Sequence, residues 1–372
     1  MEKKKILIVA DDPFTKSGFG NVMYNLLKNE RFTTSFDITY ITKNSPLERQ
    51  LENVTFIPNK LGGWIGERIL EKTLSENDNY DLIFIYDDID VILLHYFGSS
   101  IYHFQGNEKL FDKKVLAYVP VDTYRLHPTW ITQLKKIPNL SLLAMNKYGY
   151  NLLNDADISC IDYLYHTIDF DLFQPPEDDT KRDGFLYIGR LDVRKNAEML
   201  LELANFLTFN NQKVTLRIML DQYSSYLLQS KLKQNDNLNV ITTPIKTEDI
   251  VNLYRTHKYF ITMTHFEGFG LPFLESARCK LPVIAFENPV TDEIMGGNYF
   301  RIPVMNHTYE RSYNMRIFKE WHIEDVKHYI ETINERETEY KIIQQGAYDY
   351  SNIFRPENVY DKFMSILNKV FE

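Results

Sequence analysis

The chain has 372 residues, 44% hydrophobic and 25% charged, which is too long for one ordinary core and suits a two-domain soluble globular protein. Its formal net charge of −9 argues against nucleic acid or an anionic membrane as the main partner, and no apolar run approaches the roughly 20 residues needed to span a bilayer. Two cysteines, Cys160 and Cys279, build neither a disulfide framework nor a cysteine-rich metal site.

The opening stretch Ile6–Ala10 is apolar but short, and Asp11 and Asp12 follow at once. It reads as the first strand of a cytoplasmic protein rather than a signal peptide. Further strands are predicted at Ile38–Thr42, Leu82–Tyr86, Val115–Val119 and Leu140–Ala144, rich in Val, Ile, Leu and Tyr as buried parallel strands are. Helical patterns fall between them at Asn21–Lys28, Gly66–Leu74 and Tyr148–Asn154. This alternation predicts a doubly wound α/β domain over residues 1–170.

Pro175, Pro176 and the charged run Glu177–Asp183 break the pattern, so residues 171–183 read as a linker. A second α/β domain is predicted over 184–355. Its strands fall near Gly184–Ile188, Val214–Met219, Asn239–Thr242, Tyr259–Met263, Pro282–Phe286 and Phe300–Pro303. Its helices fall at Ala197–Phe209, Ser224–Lys233, Thr247–Arg255 and Pro272–Cys279. Asn196 sits where an N-cap belongs. Asn306–Trp321 fits neither pattern and reads as an insertion or mobile loop. A last helix is predicted over 356–372, with Val359, Phe363, Ile366, Leu367 and Val370 on one face. Open α/β sheets bind ligands beyond the carboxyl ends of their strands, so two such domains would face a central cleft.

Two segments carry chemistry. In Gly189-Arg190-Leu191-Asp192-Val193-Arg194-Lys195-Asn196, a strand turns into a helix. There Arg190 offers a fork, Lys195 a compact charge, and the backbone N–H groups a cradle for phosphate. In Glu267-Gly268-Phe269-Gly270-Leu271-Pro272-Phe273-Leu274-Glu275, the glycines permit tight turns and Pro272 suits a first helical turn. Two carboxylates around such a turn suit sugar hydroxyls. Read alone, each segment is equally a solvated loop or a capped helix.

Together, these segments resemble the retaining family 4 glycosyltransferases of the GT-B fold. The resemblance covers roughly residues 160–300. It includes Thr264 before Glu267, Cys279–Ala285, the stretch Tyr165–Asp169 with Phe173 and Pro175, and Asp292–Ile294 with Gly296 and Gly297. The N-terminal half matches more loosely, through Gly18-Phe19-Gly20. The resemblance implies that Arg190 and Lys195 hold the donor diphosphate. It implies that Glu267 holds the donor sugar and Glu275 the ribose. Thr264 and the backbone of Phe269, Gly270 and Leu271 would line the same donor site, with Gly18 and Gly20 letting the first loop approach. It further implies transfer of a sugar, with retention, from a nucleotide diphosphate donor to a hydroxyl acceptor. No metal or other cofactor would be needed, and a lipid-linked acceptor would add weak membrane association.

One position departs from the family pattern. Where many relatives carry a histidine after the strand Val115–Val119, this chain has Asp122, either a site residue or an ordinary turn aspartate. The departure keeps open a noncatalytic sugar-nucleotide-binding scaffold, and a GT-B sugar-nucleotide epimerase is the enzymatic alternative. Trp130 either stacks on a sugar or packs in the domain, and His265 either reaches the site or packs. Asp88-Ile89-Asp90 forms the DxD string of metal-dependent glycosyltransferases but reads here as a loop. Gly62–Gly66, with Trp64, touches lipid or an acceptor, or is plain surface.

Overall fold

The computed structural model describes residues 2–15, 17–178, 181–303, 310–313, 315–319, 321–333 and 335–372. The chain divides into two compact units. The first comprises Met1–Val121, Leu126–Thr167 and Pro356–Glu372; the second comprises Asp122–Arg125 and Ile168–Arg355.

The first unit is built on a seven-stranded sheet, parallel throughout. From edge to edge its strands are Val54–Pro58, Asp37–Thr42, Lys5–Ala10, Leu82–Tyr86, Val115–Val119, Leu140–Ala144 and Cys160–Tyr163. The central strands are buried along almost their whole length, which explains why they stand out in the sequence as unbroken apolar runs. The edge strands Val54–Pro58 and Cys160–Tyr163 are half-buried, carry Thr, Pro and Asp, and give no such run. The C-terminal helix Pro356–Phe371 packs in this unit. Its Phe363 ring lies against Phe32 and Phe84, and Phe371 stacks on Phe36.

The Asp88-Ile89-Asp90 string is not a loop. Asp88 stands at the N-cap of helix Ile89–Phe97, and Asp90 lies in its first turn. This helix is apolar on nearly every side, so it shows no amphipathic stripe to mark it in the sequence.

The second unit carries a six-stranded parallel sheet. Its strands run Leu238–Ile241, Val214–Ile218, Phe185–Gly189, Tyr259–Ile261, Val283–Phe286 and Phe300–Ile302. Helix Ala197–Phe209 lays Leu200, Leu203, Ala204 and Leu207 into the core, and helix Ile323–Ile333 adds Val326, Ile330 and Ile333. Each such large aliphatic side chain contributes about 1.5–3 kcal/mol by leaving water. Asn196 does precede the first of these helices, but it caps nothing with its side chain. It adopts the left-handed conformation (φ 51°). The turn is closed instead by Asp192, which accepts the Lys195 N–H at 2.8 Å.

In both units the first strand has the second on one side and the fourth on the other. The loops after these two strands therefore meet at a topological switch point, where doubly wound sheets bind ligands. Part of Asn306–Trp321 is a hairpin rather than an irregular loop: Glu310–Tyr313 pairs antiparallel with Arg316–Lys319. Its short connection includes Met315 at φ 61°, the left-handed backbone that tight hairpin turns demand. Residues 306–309, 314 and 320 lie outside the described residues.

Candidate functional site

The second unit's switch point brings Lys195 and Glu267 together. Lys195 sits on the turn after Phe185–Gly189, and Glu267 on the loop after Tyr259–Ile261. The Lys195 ammonium is ion-paired with Glu267 Oε1, and the Arg194 guanidinium donates to Glu267 Oε2 at 2.9 Å. All three side chains are largely buried. Burial pushes the Glu267 carboxyl up, but Lys195 and Arg194 outweigh it and hold it at about 2. Burial pulls the Lys195 ammonium down, against the attraction of Glu267. These two tendencies conflict. Facing two cations, Glu267 is the firmly ionised partner.

Arg190, predicted beside Lys195, does not join this cluster. Its side chain is exposed and makes no ion pair among the described residues. Its backbone is anchored by the Tyr187 hydroxyl, which donates to the Arg190 carbonyl at 2.6 Å. The tyrosine also explains Gly189, where a Cβ would stand 2.7 Å from that hydroxyl oxygen.

Glu275 lies apart from Glu267, on helix Leu271–Arg278. It accepts a hydrogen bond from the Tyr254 hydroxyl at 2.6 Å. Burial raises its carboxyl to about 7, with Tyr254 pulling the other way. The helix begins after Gly270, whose φ of 87° explains the glycine. Leu271 and Pro272 open the helix, so its first N–H groups point outward without intrahelical acceptors. Phe269 is buried and meets Phe354 edge to face.

Sequence reasoning missed Arg194. It is the hub of the cluster, donating to Glu267 and to the Phe266 carbonyl at 2.7 Å, and lying 3.4 Å from Asp122 Oδ2. Burial opposes its charge, and Glu267 and Asp122 more than restore it. The signal the sequence offers is its place between Arg190 and Lys195 in the same turn. Asp122 is buried, and its other oxygen accepts from Arg316 Nε at 2.6 Å. Thr264 is fully buried, its hydroxyl donating to the Phe266 carbonyl at 3.0 Å. His265 is packed into the second unit. It is buried, donates through Nδ1 to the Lys319 carbonyl at 3.0 Å and stacks on Trp321.

In the first unit, Gly18 opens helix Gly18–Leu27 after Ser17, whose hydroxyl accepts the Gly20 N–H at 2.9 Å. A Cβ at Gly20 would stand 2.7 Å from the Asp12 carbonyl oxygen, whereas one at Gly18 would meet open space. Only Gly20 is therefore demanded by packing. Trp130 is fully buried and Trp64 exposed. Packing, not stacking on a sugar, accounts for Trp130. The switch point of this unit also carries charge: Lys43 pairs with Asp87 and lies 3.3 Å from Asp11.

Among the described residues no three His, Cys, Asp or Glu side chains converge as a metal site. No helix there is long and apolar enough to cross a membrane.

Residues 169–312 match the family model described as "Glycosyl transferases group 1". A probable sucrose-phosphate synthase of Thermosipho melanesiensis is 27% identical over 205 residues, or 52% of this chain and 46% of the relative. The chain thus spans less than half the length of that relative. In fold it is similar to the sucrose-phosphate synthase structure from Thermosynechococcus elongatus, with a TM-score of 0.71 and 15% identity over 100% of this chain and 99% of that one. It is also similar to the structure of Anabaena HepE in complex with UDP-glucose, with a TM-score of 0.65 and 14% identity over 98% and 99% of the two chains.

Proposed function

We propose that this chain, a GT-B protein with a group 1 glycosyltransferase domain in its second unit, is a retaining glycosyltransferase. It moves a sugar from a nucleotide diphosphate donor to a hydroxyl acceptor. The observation that carries this reading is the meeting of Lys195, Arg194 and Glu267 at a switch point inside the matched segment 169–312. UDP-glucose in the similar Anabaena structure supports a nucleotide-sugar donor.

In this reading Arg190 and Lys195 bind the diphosphate and stabilise its charge as it leaves. Arg190 is exposed and ready to pair. Lys195 has to be shared with Glu267. The N-terminal end of helix Leu271–Arg278 adds backbone donors of the same polarity. Glu267 accepts hydrogen bonds from the donor sugar and fixes it beside the acceptor. Glu275 accepts from the ribose hydroxyls, in place of or beside Tyr254. Retention then proceeds by a same-face displacement through an oxocarbenium-like state, with the leaving phosphate taking the acceptor proton. Such a route draws on positioning and preorganised charge rather than on a strong protein base. It needs no metal, and transfer is expected to survive a chelator.

The test is thermal stabilisation by a panel of UDP-, GDP- and ADP-sugars, with wild type and Glu275→Ala side by side. One donor class should raise the melting temperature of wild type and not of the variant. A panel without effect on wild type, or an equal shift in both, would overturn the assignment of the donor site.

A further inference from the structure

Asp122 and Arg316 are far apart in sequence, and neither borders the Gly189–Asn196 or Glu267–Glu275 segment. Yet Arg316 reaches Asp122 Oδ1 at 2.6 Å, Arg194 lies 3.4 Å from Asp122 Oδ2, and Arg194 donates to Glu267 Oε2 at 2.9 Å. The alternation of charge is continuous: Arg316, Asp122, Arg194, Glu267. Every member is at least largely buried. The flanking residues reinforce it. The Tyr124 ring meets Phe266 edge to face at 4.8 Å, and its hydroxyl donates to the Glu287 carbonyl. The Lys319 ammonium sits 4.8 Å from the Tyr124 ring, and the Lys319 carbonyl holds His265. Residues 122–125 and the hairpin strand Arg316–Lys319 thus brace His265 and Phe266, the two residues immediately before Glu267.

We propose that Arg194 is the positioning residue for the Glu267 carboxylate, and that Asp122 and Arg316 act through it rather than on the substrate. Both Asp122 oxygens face a guanidinium, so its charge is spent on orientation. Arg194 alone could swing between Glu267 and solvent. Tied to Asp122, which Arg316 holds from its far side, it presents one N–H to Glu267 in a fixed direction. The hairpin is thereby part of the donor-sugar machinery through the Arg316–Asp122 pair. The inference rests on the proposed donor site and adds to it the residues that aim its carboxylate.

The test is kinetic and thermodynamic, on the full chain, with Asp122→Asn, Arg316→Gln, Arg316→Lys and the Asp122→Asn/Arg316→Gln double variant. Misplacing a reacting group through a remote change costs up to about 10²-fold in rate. Asp122→Asn and Arg316→Gln should each lower kcat for the donor by about tenfold or more. Affinity for the bare nucleoside diphosphate should stay within about twofold, because the relay leaves the diphosphate cations in place. The double variant should be no worse than the Asp122→Asn single, and Arg316→Lys should recover much of the loss. Multiplying losses, unchanged kcat, or nucleotide affinity falling in step with kcat would each overturn the proposal. Should wild type turn over no donor, the proposed function fails on its own, and unfolding measurements decide the relay. Arg316→Gln and Glu267→Gln share no contact, so non-additive stabilities would support a continuous relay and additive ones would overturn it.

Discussion

Glu267→Gln is the most informative single change, because it removes charge and little else. The carboxyl is held at about 2 instead of an ordinary 4.5, which is worth about 3 kcal/mol of stability at neutral pH, to order of magnitude. A depressed carboxylate contributes that stability above its unfolded value and loses it as pH falls through the folded one. Wild type should therefore exceed the variant by about 3 kcal/mol at pH 7, the difference narrowing from pH 5 towards pH 2. Breaking a buried pair from one side costs about 3–5 kcal/mol, which agrees, since Arg194 keeps Asp122 while Lys195 loses its main counter-charge. The same change should strengthen binding of the bare nucleoside diphosphate, by roughly tenfold or about 1.4 kcal/mol, because Lys195 is no longer shared with a protein anion. Sugar transfer should be lost at the same time. Denaturant unfolding at pH 7 and pH 3.5, with calorimetry of the bare nucleotide, reads both effects. A stability gap independent of pH, or a nucleotide bound more weakly by the variant, would refute the reasoning.

Glu275→Gln should behave in the opposite sense with pH. Its folded carboxyl is raised by burial to about 7, so the charged form weakens the fold as pH rises from about 4.5. The variant should gain on wild type between pH 4 and pH 8, and an unfolding difference that stays constant would contradict this. The double change Arg190→Ala/Lys195→Ala should abolish transfer with the fold intact by circular dichroism, and retained turnover would remove the diphosphate role. Gly20→Ala places a Cβ 2.7 Å from the Asp12 carbonyl and should lower the melting temperature, whereas Gly18→Ala, with open space around it, should not. Equal shifts in the two would contradict the packing argument.

Much of the architecture was legible because the central strands are buried on both faces and therefore unbroken in the sequence. Leu82–Tyr86, Val115–Val119 and Leu140–Ala144 are read with their observed ends. Legibility failed at a half-buried edge strand and at a helix that is apolar on nearly every side. Val54–Pro58 is too mixed to stand out, and helix Ile89–Phe97 is too uniformly apolar to show a stripe. In the site, local motifs located Lys195 and Glu267, each readable from its own strand-to-helix turn. Arg316 was hidden for a different reason. Its importance comes from a contact 194 residues away, to Asp122, and no local pattern encodes such a pairing. Asp122 itself stands out in the sequence only as a departure from a resemblance, and its two arginine partners emerge from the fold alone.

The most direct test of the central claim is the fate of the donor itself. Wild type is incubated with the nucleotide sugar selected by thermal stabilisation and a set of hydroxyl acceptors, without metal and in the presence of chelator. Proton NMR then follows the anomeric signal. Release of the nucleoside diphosphate with a product of the donor's own anomeric configuration is the expected result. An inverted product, or turnover that appears only when a divalent metal is restored, would contradict the proposed chemistry.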